Sequence, residues 1–169
     1  MPANNFCQEL WNQFGACIDM LTNCIHTVPD DFFSHHKRAY YLSFHTIVFL
    51  DYYSSFPPTS FTPLLSFTQL PVEQRPAESI GDMIPDAIYT KEELLQYVEV
   101  IREKCKGLVF SLTGDTTQPR FTEGSEAGDM DYSFLEILIY NLRHTAHHVG
   151  LNQHMEWSFR EGDISFIKK

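Results

Sequence analysis

The sequence predicts an all-α fold: an up-down four-helix bundle with one long crossover between its second and third helices. Three observations carry that expectation. Apolar residues recur at three- and four-residue steps in four separate stretches, the period of an amphipathic helix. Proline, glycine and capping residues divide those stretches. One connection, Ser54 to Tyr89, is far longer than the others and holds six of the nine prolines.

The first helix is expected from about Asn5 to Ile25. Phe6, Leu10, Phe14, Cys17, Leu21 and Cys24 form its apolar stripe, and Pro29 with Asp30-Asp31 ends it and caps the next. The second is expected from about Phe32 to Tyr53, strongly apolar through Tyr41, Phe44, Val48 and Leu50 and stopped by Pro57-Pro58. The third follows Thr90, which with Glu93 three residues on forms a capping box. Leu94, Val98, Ile101, Cys105, Leu108 and Leu112 follow at helical spacing, with Gly114 as the stop. The fourth is expected from about Asp131 to Phe159, capped by Asp129 or Asp131, with Gly162 after its end. Phe56, Phe61 and Phe67 should pack the crossover onto the bundle. Arg120 and Phe121 read as a short extended piece, paired with Asp163 to Ile167.

Length and composition fit one domain spanning 1–169, with 43% hydrophobic and 20% charged residues. A formal charge of −10, with only 12 scattered basic residues, argues against a nucleic-acid partner. No apolar run is long enough to cross a bilayer, and Met1 to Asn5 do not resemble an export signal, so a cytoplasmic location is expected. Cys7, Cys17, Cys24 and Cys105 form no CxxC and read as reduced, buried small hydrophobes. No GxSxG, phosphate-binding loop, dinucleotide fingerprint or HExxH is present.

The chemistry concentrates late in the chain. Four of the eight histidines lie between His144 and His154. Residues four apart share a helix face about 6 Å apart, so His144 and His148 point the same way and two imidazoles close on one ion. A catalytic-type site needs a third protein ligand and an open position. His45, in the middle of the apolar second helix, is the best candidate, because facing helices of a bundle bring side chains within ligand reach. The alternative for His45 is a hydrogen-bonded core histidine. His147 and His154 point to another face and read as surface or packing residues. Gly150 suggests close helix packing or access to the site.

One histidine in the second helix, followed by His144-Thr145-Ala146-His147-His148-Val149-Gly150-Leu151 in the fourth, resembles the DinB-like/YfiT-type metal-dependent bundle superfamily, whose signature is close to HxxHHRGQ. The resemblance covers nearly the whole chain in helix order. It implies the same three ligands, His45, His144 and His148, and a homodimer. It also implies chemistry of the thiol S-transferase or thiol-dependent isomerase kind. Two positions depart from the signature: Val149 replaces its arginine and Leu151 its glutamine.

Three neutral imidazoles suit Zn²⁺, Ni²⁺ or Fe²⁺. The leading expectation is therefore a metal-dependent enzyme acting on a small molecule, a low-molecular-weight thiol among its substrates, with a metal-assisted hydrolase as the nearest variant. Tyr41, Phe49 and Tyr52 would line its pocket, with Asn141 and Asn152 a turn away from the fourth-helix histidines. A non-catalytic metal-binding or interaction bundle is the alternative, and Val149 and Leu151 lean that way.

Overall fold

The computed structural model describes residues 3–113 and 118–160, with side chains described over 5–113 and 118–153. The chain is mostly helical. Among the described residues, helices α1 (Ala3–Thr27), α2 (Phe32–His35), α3 (Lys37–Tyr52), α4 (Lys91–Phe110) and α5 (Phe134–Arg160) are joined by two small antiparallel hairpins. Strands β1 (Phe67–Gln69) and β2 (Met83–Pro85) pair within the crossover. Strands β3 (Phe121–Thr122) and β4 (Asp131–Tyr132) pair ahead of α5.

The buried stripe of α1 runs Cys7, Trp11, Phe14, Ile18, Leu21 and Ile25, alternating steps of four and three. Phe6, expected on this stripe, lies beside it and is exposed. α1 packs against α4 and α5, and α3 packs against α5 and α4.

The expected second helix is two. At His36 the backbone leaves the helical region (φ −119°, ψ 68°), so α2 ends and α3 begins anew at Lys37. No glycine or proline marks this break in Ser34-His35-His36-Lys37. The His36 ring stacks on Phe32 at 4.3 Å, which holds the corner.

α3 is buried nearly all round, from Ala39 through Asp51 with only Tyr41 and Phe49 half-exposed. A helix apolar on every side needs cover on every side. α4 and α5 cover part of it, and β2 of the crossover covers more. Met83 and Ile84 are buried. Tyr40 Oη donates to the Ala87 carbonyl at 3.0 Å and accepts from the Tyr89 N–H at 2.9 Å. Arg38 donates to the carbonyls of Glu78 and Ser79. The long connection is thus fastened to α3, and its Phe56, Phe61 and Phe67 pack against the core as expected, although the hairpin within it was not expected.

The capping box of α4 forms as predicted. Glu93 N–H donates to Thr90 Oγ1 at 3.2 Å, and Thr90 N–H to Glu93 Oε2 at 2.7 Å. α4 ends at Phe110; Gly114 lies outside the described residues. The start of α5 corrects the expectation. Asp131 belongs to β4, where its carboxylate accepts from Arg120 at 2.9 Å and from Thr122 at 3.0 Å. Ser133 takes the capping position instead, its Oγ accepting from Glu136 N–H at 3.3 Å. The Phe121 strand pairs with this local β4; the expected partner, 163–167, lies outside the described residues.

One ion pair is deeply placed. The buried Asp51 carboxylate accepts from Tyr97 Oη at 2.7 Å and from Lys104 Nζ at 2.5 Å, tying α3 to α4. All four cysteines are buried, and none is joined in a disulfide. Burial alone pushes the Cys17 thiol up to about 12, and it dominates the same rise at Cys105.

Candidate metal centre

α3 and α5 run side by side, and three histidines meet between them. His45 comes from the middle of α3; His144 and His148 come from adjacent turns of α5. Their ring centroids lie 5.5 Å (His45–His144), 4.7 Å (His45–His148) and 4.4 Å (His144–His148) apart. One nitrogen from each ring falls within 4.8 Å of the other two, so the three side chains are placed to hold a metal ion. His45 is buried, and the other two are half-buried.

The Nε2 atoms of His144 and His148 are 3.1 Å apart. Metal–nitrogen bonds of about 2.0–2.1 Å, meeting at about 90–109°, would set two nitrogens about 2.8–3.4 Å apart. The observed separation falls in that range. Read instead as a hydrogen bond, it would occupy one nitrogen on each of two rings, and His45 would take no part. The Nδ1 atoms of all three rings are buried without a hydrogen-bond partner. With the Nε2 atoms of His144 and His148 facing one another, the Nδ1 atoms of those two are on the far side of their rings, and it is the convergence of the three rings that suits an ion.

The electrostatics favour the metal-binding form. Burial, then the neighbouring His148, hold His45 down at about 4, with the Ile80 backbone opposing in part. Burial first, then His148 and His45, hold His144 at about 3. Burial, then His147, hold His148 at about 4. All three rings are therefore neutral at pH 7, with lone pairs free for coordination.

An aromatic wall surrounds the rings. Phe49, predicted to line the pocket, lies 4.5 Å from His45 and 5.6 Å from His144. Tyr53 meets His144 edge-on at 5.3 Å, and Tyr140 stacks on it at 6.2 Å. These two tyrosines were not singled out from the sequence. Stepping four residues from His45 through Phe49 finds Tyr53, and stepping four back from His144 finds Tyr140. Tyr52 stands one ring further out, edge-on to Phe49 at 6.1 Å, and its hydroxyl donates to Glu123 at 2.6 Å. Tyr41 packs edge-on to Tyr40 at 5.6 Å.

Asn141 and Asn152 make hydrogen bonds to α3 rather than to the imidazoles. Asn141 Nδ2 donates to the Leu50 carbonyl and to Ser54 Oγ, both at 3.0 Å. Asn152 Oδ1 accepts from Ser43 Oγ at 3.2 Å. Asp51, six residues beyond His45 on α3, faces Tyr97 and Lys104 instead of the imidazoles. His147 is exposed and edge-on to His148 at 5.1 Å; the side chain of His154 lies outside the described set.

The crossover supplies a residue that no local pattern signalled. Gly81, at φ +70°, lies against His45: a Cβ there would stand 3.2 Å from Nδ1 and 3.3 Å from Cε1. Both the backbone and the space call for glycine. Gly150 is different, since a Cβ on it would meet nothing within 4 Å, so close packing does not explain it. It lines an apolar groove of about 460 Å³ between α1 and α5, with Cys17, Met20, Leu142, Ala146 and Val149. At about 100° per residue, that face of α5 lies opposite the histidines, so the groove is separate from the metal centre.

Comparison with known proteins returns no match: no protein-family model fits the chain, and neither a curated protein nor a solved structure is recognisably similar to it.

Proposed function

We propose that this chain is a metal-dependent enzyme of the DinB-like kind, an up-down four-helix bundle that holds one divalent transition ion on His45, His144 and His148. The observation that carries the reading is the convergence of three neutral histidines from two helices, one nitrogen of each lying within 4.8 Å of the other two. Zn²⁺, Ni²⁺ and Fe²⁺ suit such a set. A bound ion with an open position would lower the pKa of a thiol or water there, which supplies a nucleophile at neutral pH.

The chain's own residues set the conditions for that chemistry. Three neutral ligands leave the charge of an ion uncompensated, which strengthens its pull on a thiol proton. Phe49, Tyr53 and Tyr140 give the rings an apolar flank, where electrostatic interactions are stronger than in water. We assign the activity to thiol S-transfer, in which the sulfur of a low-molecular-weight thiol bonds to an electrophilic carbon, the leaving group departs and the thiol proton passes to solvent. A homodimer belongs to the same reading.

One observation favours a second reading, a bundle that binds metal without catalysis. Val149 is buried in the core and Leu151 is exposed, so the two positions that carry arginine and glutamine in the resembled signature offer no polar group.

The test is thiol consumption by metal-loaded protein, with a panel of small thiols against an aryl halide and an epoxide. Turnover that disappears in His148→Ala supports the enzyme. Stoichiometric metal binding with no turnover on any pair supports the second reading.

A further inference from the structure

The stripe that α5 turns toward α3 carries more than the two histidines. Asn141, His144, His148 and Asn152 follow at steps of three, four and four, within about 80° of arc at 100° per residue. The two histidines are the inner pair, and the two asparagines, both buried, are the outer pair.

Each asparagine is tied to α3. At one end Asn141 uses its whole amide. Its Nδ2 donates to the Leu50 carbonyl and Ser54 Oγ, and its Oδ1 accepts from Thr145 at 3.4 Å. Ser54 Oγ in turn donates to the Leu50 carbonyl at 2.8 Å, so Cys105, 3.1 Å away, must supply its own S–H to that oxygen. α3, α4 and α5 are thus joined at one point. At the other end Ser43, two residues before His45, donates to Asn152. As residue numbers rise along α3, those of their α5 partners fall: Ser43 meets Asn152, His45 meets His148, and Leu50 meets Asn141. The histidines lie between two hydrogen-bonded ties in one antiparallel register.

We propose that Asn141 and the Ser43–Asn152 pair are positioning residues that fix the register of α5 on α3, and so set the separation of His45 from His144 and His148. The proposal rests on the metal-binding reading above. The physical reason is directional. Apolar side chains between two helices tolerate sliding of a fraction of a turn, whereas a buried amide must meet its partners at about 2.9–3.2 Å or lose them. Metal ligands need tolerances of about 0.2 Å.

The experiment is Co²⁺ titration of the full chain, read by the visible d–d bands and by competition with a chelator, alongside thermal melting by circular dichroism. The variants are Asn141→Leu, close in volume, and the milder Ser43→Ala. The expected result is a cooperative melt for both, with Co²⁺ affinity lowered about 10–100-fold and the bands shifted or weakened. Ser43→Thr, which keeps the hydroxyl, should restore both. If Asn141→Leu does not fold, Ser43→Ala and its threonine rescue decide the matter. Spectrum and affinity within twofold of wild type in the folded variants would overturn the positioning role while leaving the metal site intact. A wild-type chain that binds no Co²⁺ would overturn both.

Discussion

Acid should unfold the metal-free protein partly through His45, and the effect can be measured. The His45 ring loses its proton at about 4 in the folded chain, against an ordinary value of 6.5, chiefly because burial disfavours the charged form. The sign follows from proton counting. Between pH 6.5 and 4 the unfolded chain carries a proton on His45 and the folded chain does not, so stability falls as pH falls through that window and is untouched above it. A shift of about 2.5 units at about 1.4 kcal/mol per unit gives roughly 3 kcal/mol once pH is below 4, and about 2 kcal/mol between pH 6 and 4.5. The perturbation is His45→Phe, which removes the titrating group and keeps a ring in the cavity. The assay is urea unfolding of chelator-treated protein at half-unit steps from pH 7.5 to 4.5. Carboxylates, His144 and His148 titrate in both proteins, so the difference in slope reports His45 together with the relief of His144 that its removal brings. Wild type should lose about one proton's worth of stability per pH unit more than the variant. Parallel pH profiles would show that His45 is not buried neutral, and would refute the electrostatic account of the site.

Other expectations follow from the same geometry. Gly81→Ala should cost about 1–2 kcal/mol for the left-handed backbone alone, and should also weaken metal binding because its Cβ presses on His45; urea unfolding and a Co²⁺ titration read the two effects. Gly150→Ala should stabilise by about 0.5–1 kcal/mol, since its Cβ meets only open space, and should leave metal binding unchanged. Lys104→Met leaves the buried Asp51 carboxylate with Tyr97 as its remaining partner and should cost about 3 kcal/mol by urea unfolding, again without loss of metal. Metal affinity of the folded chain should stay level from pH 8 down to about 5, because its histidines hold protons only near 4 and 3, where a solvent-exposed imidazole site would already be losing its metal at 6.5.

The site was more legible in the sequence than the fold around it. His144 and His148 are joined by local periodicity, and an HxxxH pair on a helix fixes its own geometry. His45 needed one further inference, that an imidazole inside a run such as Phe44-His45-Thr46-Ile47 requires a partner. The Thr90–Glu93 capping box was equally local, and it formed. What depended on distant chain stayed hidden. The break at His36 has no breaker residue. The hairpin of the long connection pairs Phe67–Gln69 with Met83–Pro85 across the intervening residues 70–82, and no two-residue turn signals it. Gly81 matters because of a ring 36 positions earlier in the chain. The cap of α5 was misplaced because Asp131, a good capping residue by type, is engaged by Arg120 across the β3–β4 hairpin. Asn141 and Asn152 were noticed for standing near the histidines, but their hydrogen bonds to α3 are tertiary facts.

The proposed site stands or falls on whether three histidines from two helices hold one metal ion. Inductively coupled plasma mass spectrometry of chelator-stripped protein, reloaded with Zn²⁺, Ni²⁺ or Fe²⁺ and passed through a desalting column, tests it most directly. Wild type should retain close to one ion per chain, and His45→Ala or His148→Ala almost none, with both variants folded. A wild-type chain that retains no ion, or variants that retain as much as wild type, would contradict it.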